Sequence, residues 1–195
     1  MSSSIEADAL DRADMEKLQA GHGAALNDLM ERHATPIFHF LCRMTGNEDD
    51  ANDLAQETFV RIFKSRDCFR TEQKFSTWLY AIAANLARNH FRWRSRHPNV
   101  SLDAESGESE QTLGSSLAAD DPAPSEQTLA AERAAAVRSA VGKLSEDLRE
   151  AIVLCEWEER SVAEAAVILQ ATPKAVESRL YRARQILRER LTLWL

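Results

Sequence analysis

Apolar residues recur along this chain at intervals of three and four, the spacing of one helix face, and no alternating strand pattern stands out. Leu26, Leu29, Met30, His33, Ile37, Phe40, Leu41 and Met44 form one stripe, mildly interrupted at Pro36. Gly46 can end that helix and Asn47 can cap the next. Ala51, Leu54, Ala55, Thr58, Phe59, Ile62 and Phe63 form a second stripe, and Leu79, Ile82, Ala83, Leu86, His90 and Trp93 a third. The three predict one compact N-terminal bundle. His33 falls on an apolar face, which predicts a satisfied core histidine rather than a ligand.

From about His97 the composition changes. The stretch to Ser125 is rich in Ser, Asp, Glu, Gly and Pro and almost lacks large apolar groups. It cannot bury enough surface to offset its ordering entropy, so a flexible linker is expected. A second helical region follows from about Glu126. Ser145 can cap a helix carrying Leu148, Ala151, Ile152 and Cys155. Ser161 to Glu164 reads S-V-A-E, a capping box, with Val162, Ala165, Ala166 and Leu169 on the buried face of a short helix. After a turn at Gln170-Ala171, Thr172 caps a last helix with Pro173 at its first position, running to about Leu191. Val176, Leu180, Ala183, Leu187 and Leu191 face inward, leaving Lys174, Glu177, Ser178, Tyr181, Arg182 and Gln185 outside. A short helix, a tight turn and a polar second helix form the helix–turn–helix layout, whose second helix enters the DNA major groove. Flanking Arg179, Arg184, Arg188 and Arg190 can reach phosphates. The fold class is therefore all-α, two helical domains joined by a flexible linker: residues 1–96, 97–125 and 126–195.

Charge sharpens this picture. The net charge of −7 argues at first against nucleic acid, but its distribution matters more. Residues 1–60 carry 4 bases and 12 acids, whereas residues 61–100 carry 9 bases and 2 acids. Residues 101–147 carry 3 bases and 10 acids, and from Lys174 onward there are 6 bases and 2 acids. Basic surfaces can meet phosphate while acidic ones meet something else. Within the basic block, Trp78, Asn85, Arg88, Asn89, Arg92 and Arg96 share one helix side, preceded by the loop Phe69 to Thr77. Aromatics, amides and guanidinium groups on one surface suit single-stranded nucleic acid. Phe75 serves equally well as core or as loop anchor. On the helix after Asn47, Asp49, Asp50, Asp53, Gln56 and Glu57 oppose the apolar stripe, near a helix N-terminus where the dipole favours acids.

Other classes of function find no support in the residues. No nucleophile with a partner base, phosphate loop or metal-spaced set appears, so neither an enzyme nor a cofactor is expected. Cys42, Cys68 and Cys155 are widely spaced and odd in number, which predicts buried reduced thiols. No run is long and apolar enough for a membrane span, and the acidic N-terminus does not resemble a signal peptide. A cytoplasmic protein without direct membrane contact is expected.

Three segments, in order, resemble a known family. They are DDANDLAQETFVRIF (Asp49 to Phe63), FRTEQKFSTWLYAIAANLARNHFRWR (Phe69 to Arg94) and SVAEAAVILQATPKAVESRLYRARQILRERL (Ser161 to Leu191). They look like bacterial RNA polymerase sigma factors of the extracytoplasmic-function (ECF) type, a resemblance that covers nearly the whole chain from about Leu26. D-L-x-Q-E-x-F, F-x-T-W-L and S-R-L-x-R-A-R are each modest and together specific. The resemblance implies a sigma-2 and a sigma-4 domain. It implies that Asp53, Gln56 and Glu57 dock on the β′ clamp helices of core RNA polymerase, with the β flap as a further contact. It implies that Phe69, Arg70, Phe75, Trp78, Asn85, Arg88, Asn89 and Arg92 recognise and melt a −10 element. It implies that Lys174, Glu177, Ser178, Arg179, Tyr181 and Arg182 meet a −35 element, and that an anti-sigma factor is a partner. A linker of about 29 residues has an r.m.s. span of roughly 30 Å and a stretched limit near ~100 Å, enough for two duplex turns of roughly 70 Å.

This chain departs from the pattern at Gln170 and Lys174, near points where many relatives carry Gly, and at Glu177, where a base is common. An acid there repels phosphate but can accept from cytosine N4. Two other readings stay open: a sigma-like decoy that titrates an anti-sigma factor, and a dimeric helix–turn–helix regulator, which leaves the N-terminal resemblance unexplained.

Overall fold

The computed structural model describes residues 2–97 and 126–192, and every regular element in them is helical. Apart from His97, the expected linker lies outside the described residues. The first half holds α1 (Ser2–Gln19), α2 (Ala25–Thr45), α3 (Glu48–Lys64) and α4 (Phe75–Arg96). The second holds α5 (Glu126–Gly142), α6 (Glu146–Ile152), α7 (Val162–Ile168) and α8 (Pro173–Arg190).

Local chemistry sets most boundaries. Gly46, at φ 72°, closes α2 through its N–H to the Cys42 carbonyl. Asn47 then accepts from the Asp50 amide at 2.8 Å and starts α3. Pro36 lies inside α2 without ending it. Ser161 and Glu164 form the reciprocal capping box of α7, and Thr172 accepts from the Ala175 amide at the start of α8. Ser145 behaves differently from the expectation. It occupies the N-cap position of α6 in extended backbone, but its hydroxyl donates to the Asp147 carboxylate at 2.7 Å. The α6 helix also ends at Ile152, and Cys155 falls in a π-helical turn over Val153–Trp157.

The α1 helix has no counterpart in the expected stripes, because ion pairs supply much of its attachment. Met15 and Leu18 are buried, and so are Asp11 and Asp14. Arg32 binds Asp11 at 2.9 Å and Asp14 at 2.6 Å, while His33 Nε2 lies 2.8 Å from Asp11. Such buried carboxylates persist because each is paired and hydrogen-bonded. His33 is thus a satisfied core histidine, with its ring centroid 5.2 Å from that of Phe75.

The two halves pack on each other. The α7 helix lies on α4 and α5 on α2, and the buried residues of both halves form one continuous core. This explains why α4 is covered on more than its expected stripe: Phe75, Ser76, Thr77, Tyr80, Ala84 and Ala87 are buried as well. Phe40 and Tyr80 meet edge to face at 5.2 Å, the arrangement the ring quadrupoles favour.

Candidate nucleic-acid interface

The helix–turn–helix is built by its turn. Gln170, at φ 52°, takes the left-handed conformation that reverses the chain after α7. The amide of Ala171 returns to the Ala166 carbonyl at 2.9 Å, and Thr172-Pro173 then restarts the helix. Val176, Leu180 and Ala183 anchor α8, with Leu187 and Leu191 half-buried. Lys174, Glu177, Ser178, Tyr181, Arg182 and Gln185 are exposed, Tyr181 at 69%. Arg182 donates to Ser178 Oγ at 3.2 Å, one turn back on the same face. Arg179 is half-buried, 3.7 Å from Asp147. Of the flanking arginines, Arg184 is engaged by Glu156 at 3.0 Å and Arg190 by the Ala140 carbonyl at 3.2 Å. Val167, 62% exposed on α7, lies outside the expected buried face, and nothing in its spacing marks it.

A second surface is formed by α4 and the loop before it. Asn85, Asn89, Arg92 and Arg96 are exposed, and Arg88 is half-buried at 3.4 Å from Glu150. Arg70 is exposed on the loop. Phe69 and Phe75 are 5% and 2% exposed, and both pack on half-buried Trp78, with centroids 5.2 and 6.2 Å away. In this arrangement the two phenylalanines hold the loop to the bundle. Gln19 secures it from the other side, donating to the Arg66 and Phe69 carbonyls at 2.9 and 3.0 Å. Only the structure reveals this role of Gln19, a polar residue at the end of its helix.

The third surface is the outer side of α3. Asp53 and Gln56 are exposed, and Glu57 is paired with Arg61 at 2.8 Å, whose hydrogen bond holds the carboxyl below its ordinary range. Phe63, placed by the pattern in the buried stripe, is 42% exposed with the Arg66 guanidinium 4.8 Å over its ring. Val60 is equally exposed. Counted at helical spacing, Val60 falls seven residues after Asp53 and Phe63 seven after Gln56, so the acidic face continues as an apolar one.

The cysteines also differ from expectation. Cys42 and Cys155 are half-buried, while Cys68 is exposed at the end of a single 3-10 turn, Arg66–Cys68, too short to cover it. Among the described residues, no group of three His, Cys, Asp or Glu side chains could hold a metal ion, and no helix is long and apolar enough to cross a membrane.

Comparison with known proteins places these surfaces in a family. Residues 29–97 match the family model of Sigma-70 region 2, and residues 134–187 that of Sigma-70 region 4. The chain is 34% identical to the ECF RNA polymerase sigma factor SigW of Bacillus subtilis, over 91% of this chain and 94% of that one. It is 33% identical to the RNA polymerase sigma-H factor of Pseudomonas aeruginosa, over 90% of each. Among solved structures, CnrH in complex with the cytosolic domain of CnrY superposes with a TM-score of 0.69 at 28% identity, covering 94% of this chain and 98% of that one. Matching models in both halves and relatives that align over 90% or more of each chain give one conclusion: the chain belongs to the ECF-type RNA polymerase sigma factors of the Sigma-70 family.

Proposed function

We propose that this chain binds core RNA polymerase through α3, reads the −35 duplex with α8 and captures unpaired −10 bases with α4 and its preceding loop. The observation that carries this reading is the outer face of α8, polar and exposed on a capped helix–turn–helix, within a sigma-factor chain. Residues 1–96 act as the sigma-2 domain, 97–125 as the linker and 126–195 as the sigma-4 domain. Asp53, Gln56 and Glu57 meet the β′ clamp helices, with exposed Val60 and Phe63 extending the contact. Arg70, Trp78, Asn85, Arg88, Asn89 and Arg92 meet the −10 element, which buried Phe69 and Phe75 serve by holding the loop in place; Lys174, Glu177, Ser178, Arg179, Tyr181 and Arg182 serve the −35 element. The chain has no active site of its own. It lowers the cost of strand opening by binding the open strand, a shift of population rather than bond chemistry. It works in the cytoplasm, where polymerase and chromosome are. An anti-sigma factor is its regulatory partner, a reading supported by the similar CnrH having been solved with the cytosolic domain of CnrY.

The test is to mix the purified chain with core polymerase and a randomised promoter library. Core binding with selected start sites is expected; absence of both defeats the reading. Binding to a purified anti-sigma factor without core binding would instead identify a decoy. Asp53→Ala with Glu57→Ala should weaken core binding roughly tenfold, about 1.4 kcal/mol, in a competition assay. Tyr181→Ala or Arg182→Ala should cost about 1–3 kcal/mol on a selected −35 sequence and leave core affinity unchanged.

A further inference from the structure

The last turns of α4 present an aromatic pair that the reading above leaves without a role. Spacing puts Trp93 in the buried stripe, but the core covers Leu79, Ala83 and Leu86 and leaves Trp93 47% exposed. Its indole stacks on the exposed His97 imidazole, with centroids 5.0 Å apart and planes 25° from parallel. His97 Nδ1 donates to the Trp93 carbonyl at 2.9 Å, so the ring that braces the indole also closes the helix end. Arg94 donates to Asp50 at 2.9 Å, and His90 Nε2 lies 3.3 Å from the same carboxylate, which ties these turns to the start of α3. The pair is therefore held in place before any partner arrives.

Its surroundings select a partner. From Arg88 to His97 the sequence holds four arginines and no acid. Arg92, Arg94 and Arg96 are exposed beside the stack, and Arg96 Nε donates to the Arg92 carbonyl at 3.0 Å. Exposed apolar rings in a positive field suit a polyanion with flat apolar faces, which is nucleic acid. Position agrees with charge. Asn85, Asn89 and Trp93 stand at i, i+4 and i+8, about 6 Å apart along one side of α4. The row of amides thus continues into the indole, with Arg92 and Arg96 running beside it.

We propose that Trp93, braced by His97, stacks a base of the captured −10 strand, next to those met by Asn85 and Asn89. This rests on the reading of α4 as the −10 surface. Stacking needs only a π-face, so the contact holds any base and adds affinity without sequence preference. An indole fixed beforehand loses little side-chain freedom on binding, and more of the stacking energy shows as affinity. Arg92 and Arg96 meet the phosphates beside that base. Because α4 ends at Arg96, the stacked base is the last that the helix holds, and it marks one edge of the opened segment.

The full chain bound to core polymerase provides the test, on a library-selected promoter fragment carrying 2-aminopurine at successive positions of the captured strand. At one position, at an edge of the opened segment, the probe should be quenched by the indole in the parent and brighten severalfold in Trp93→Ala. Trp93→Ala should also bind the fragment about five- to 150-fold more weakly, by a similar factor whichever base stands at that position. Trp93→Phe should stay within about threefold of the parent. Trp93→Leu, which keeps an apolar side chain without a π-face, should match alanine. His97→Ala should lose a smaller part of the same affinity, and no loss there overturns its bracing role. Unchanged brightness at every position overturns the proposal, and so does unchanged affinity. Leucine as good as phenylalanine also overturns it, because Trp93 would then serve packing alone. Should circular dichroism show the alanine variant unfolded, the comparison of Phe with Leu decides. Failure of the underlying −10 reading has its own signature: Asn89→Ala and Arg92→Ala would leave permanganate reactivity of the same promoter unchanged in the polymerase complex.

Discussion

Glu177 stands exposed on α8 between Lys174 and Ser178, on the face proposed above to meet the −35 duplex. A carboxylate there can accept from cytosine N4 and repels phosphate. Glu177→Lys should reorder the ranking of −35 variants in run-off transcription by about 1–3 kcal/mol at the position it faces. It should also steepen the salt dependence of binding by about one unit of log–log slope, as one more phosphate is neutralised. An unchanged ranking refutes the assignment. Glu150 makes a different prediction, for stability. Its neighbours are Arg88 on α4, Arg179 on α8, and Glu146 and Asp147 on its own helix; burial dominates and raises it to about 7. The unfolded chain releases this proton near the ordinary 4.5, the folded chain only near 7. Between those values the folded form binds more protons, so stability falls as pH rises through the window. The loss is at most about 3 kcal/mol, and Glu150→Gln should remove that slope in urea melts between about pH 5 and about pH 8. Parallel curves for parent and variant would exclude it.

At the scale of the element, the turn before α8 holds a side chain in a conformation that L-residues resist. Gln170→Gly should relieve about 1 kcal/mol of left-handed strain and raise the melting temperature by about 2–4 °C. Thr172→Ala should cost about 1 kcal/mol by freeing the Ala175 amide. Calorimetry distinguishes the two directions. This motif was legible because each of its instructions is local: a capping box, Thr-Pro at a helix start, and apolar residues at helical spacing. The α2 and α3 helices were legible for the same reason, through Gly46 and Asn47. The α1 helix was not, because Asp11 and Asp14 occupy positions where periodicity looks for apolar groups, and their partners Arg32 and His33 lie on another helix. Phe63 misled for a related reason. It continues an apolar stripe, yet the stripe outlasts the bundle that covers it, and the ring emerges beside the acidic face. Phe69 and Phe75 show the limit of composition: an aromatic in a polar loop looks like a stacking platform until its burial is known.

At the scale of the whole molecule, two helical regions and an intervening segment of low apolar content were readable, but their mutual packing was not. Glu158, Arg160 and Glu164 meet Tyr80, Ser76 and Lys74 from 78, 84 and 90 residues away, and no periodicity announces that they converge. The same packing governs the thiols. Cys42 lines the groove between α2 and α5, and burial pushes its thiol up, as it does that of Cys155 in the π-helical turn. Cys68 is exposed one residue before Phe69. A thiol reagent at neutral pH should therefore modify Cys68 first, as peptide mapping by mass spectrometry would record. Comparable rates at all three sites would contradict the packing. The spread of rates makes the native sequence a clock for its own rearrangement. Cys68 supplies a fast reference and a place for a dye at the mouth of the loop, while Cys42 reacts only as often as its groove exposes it.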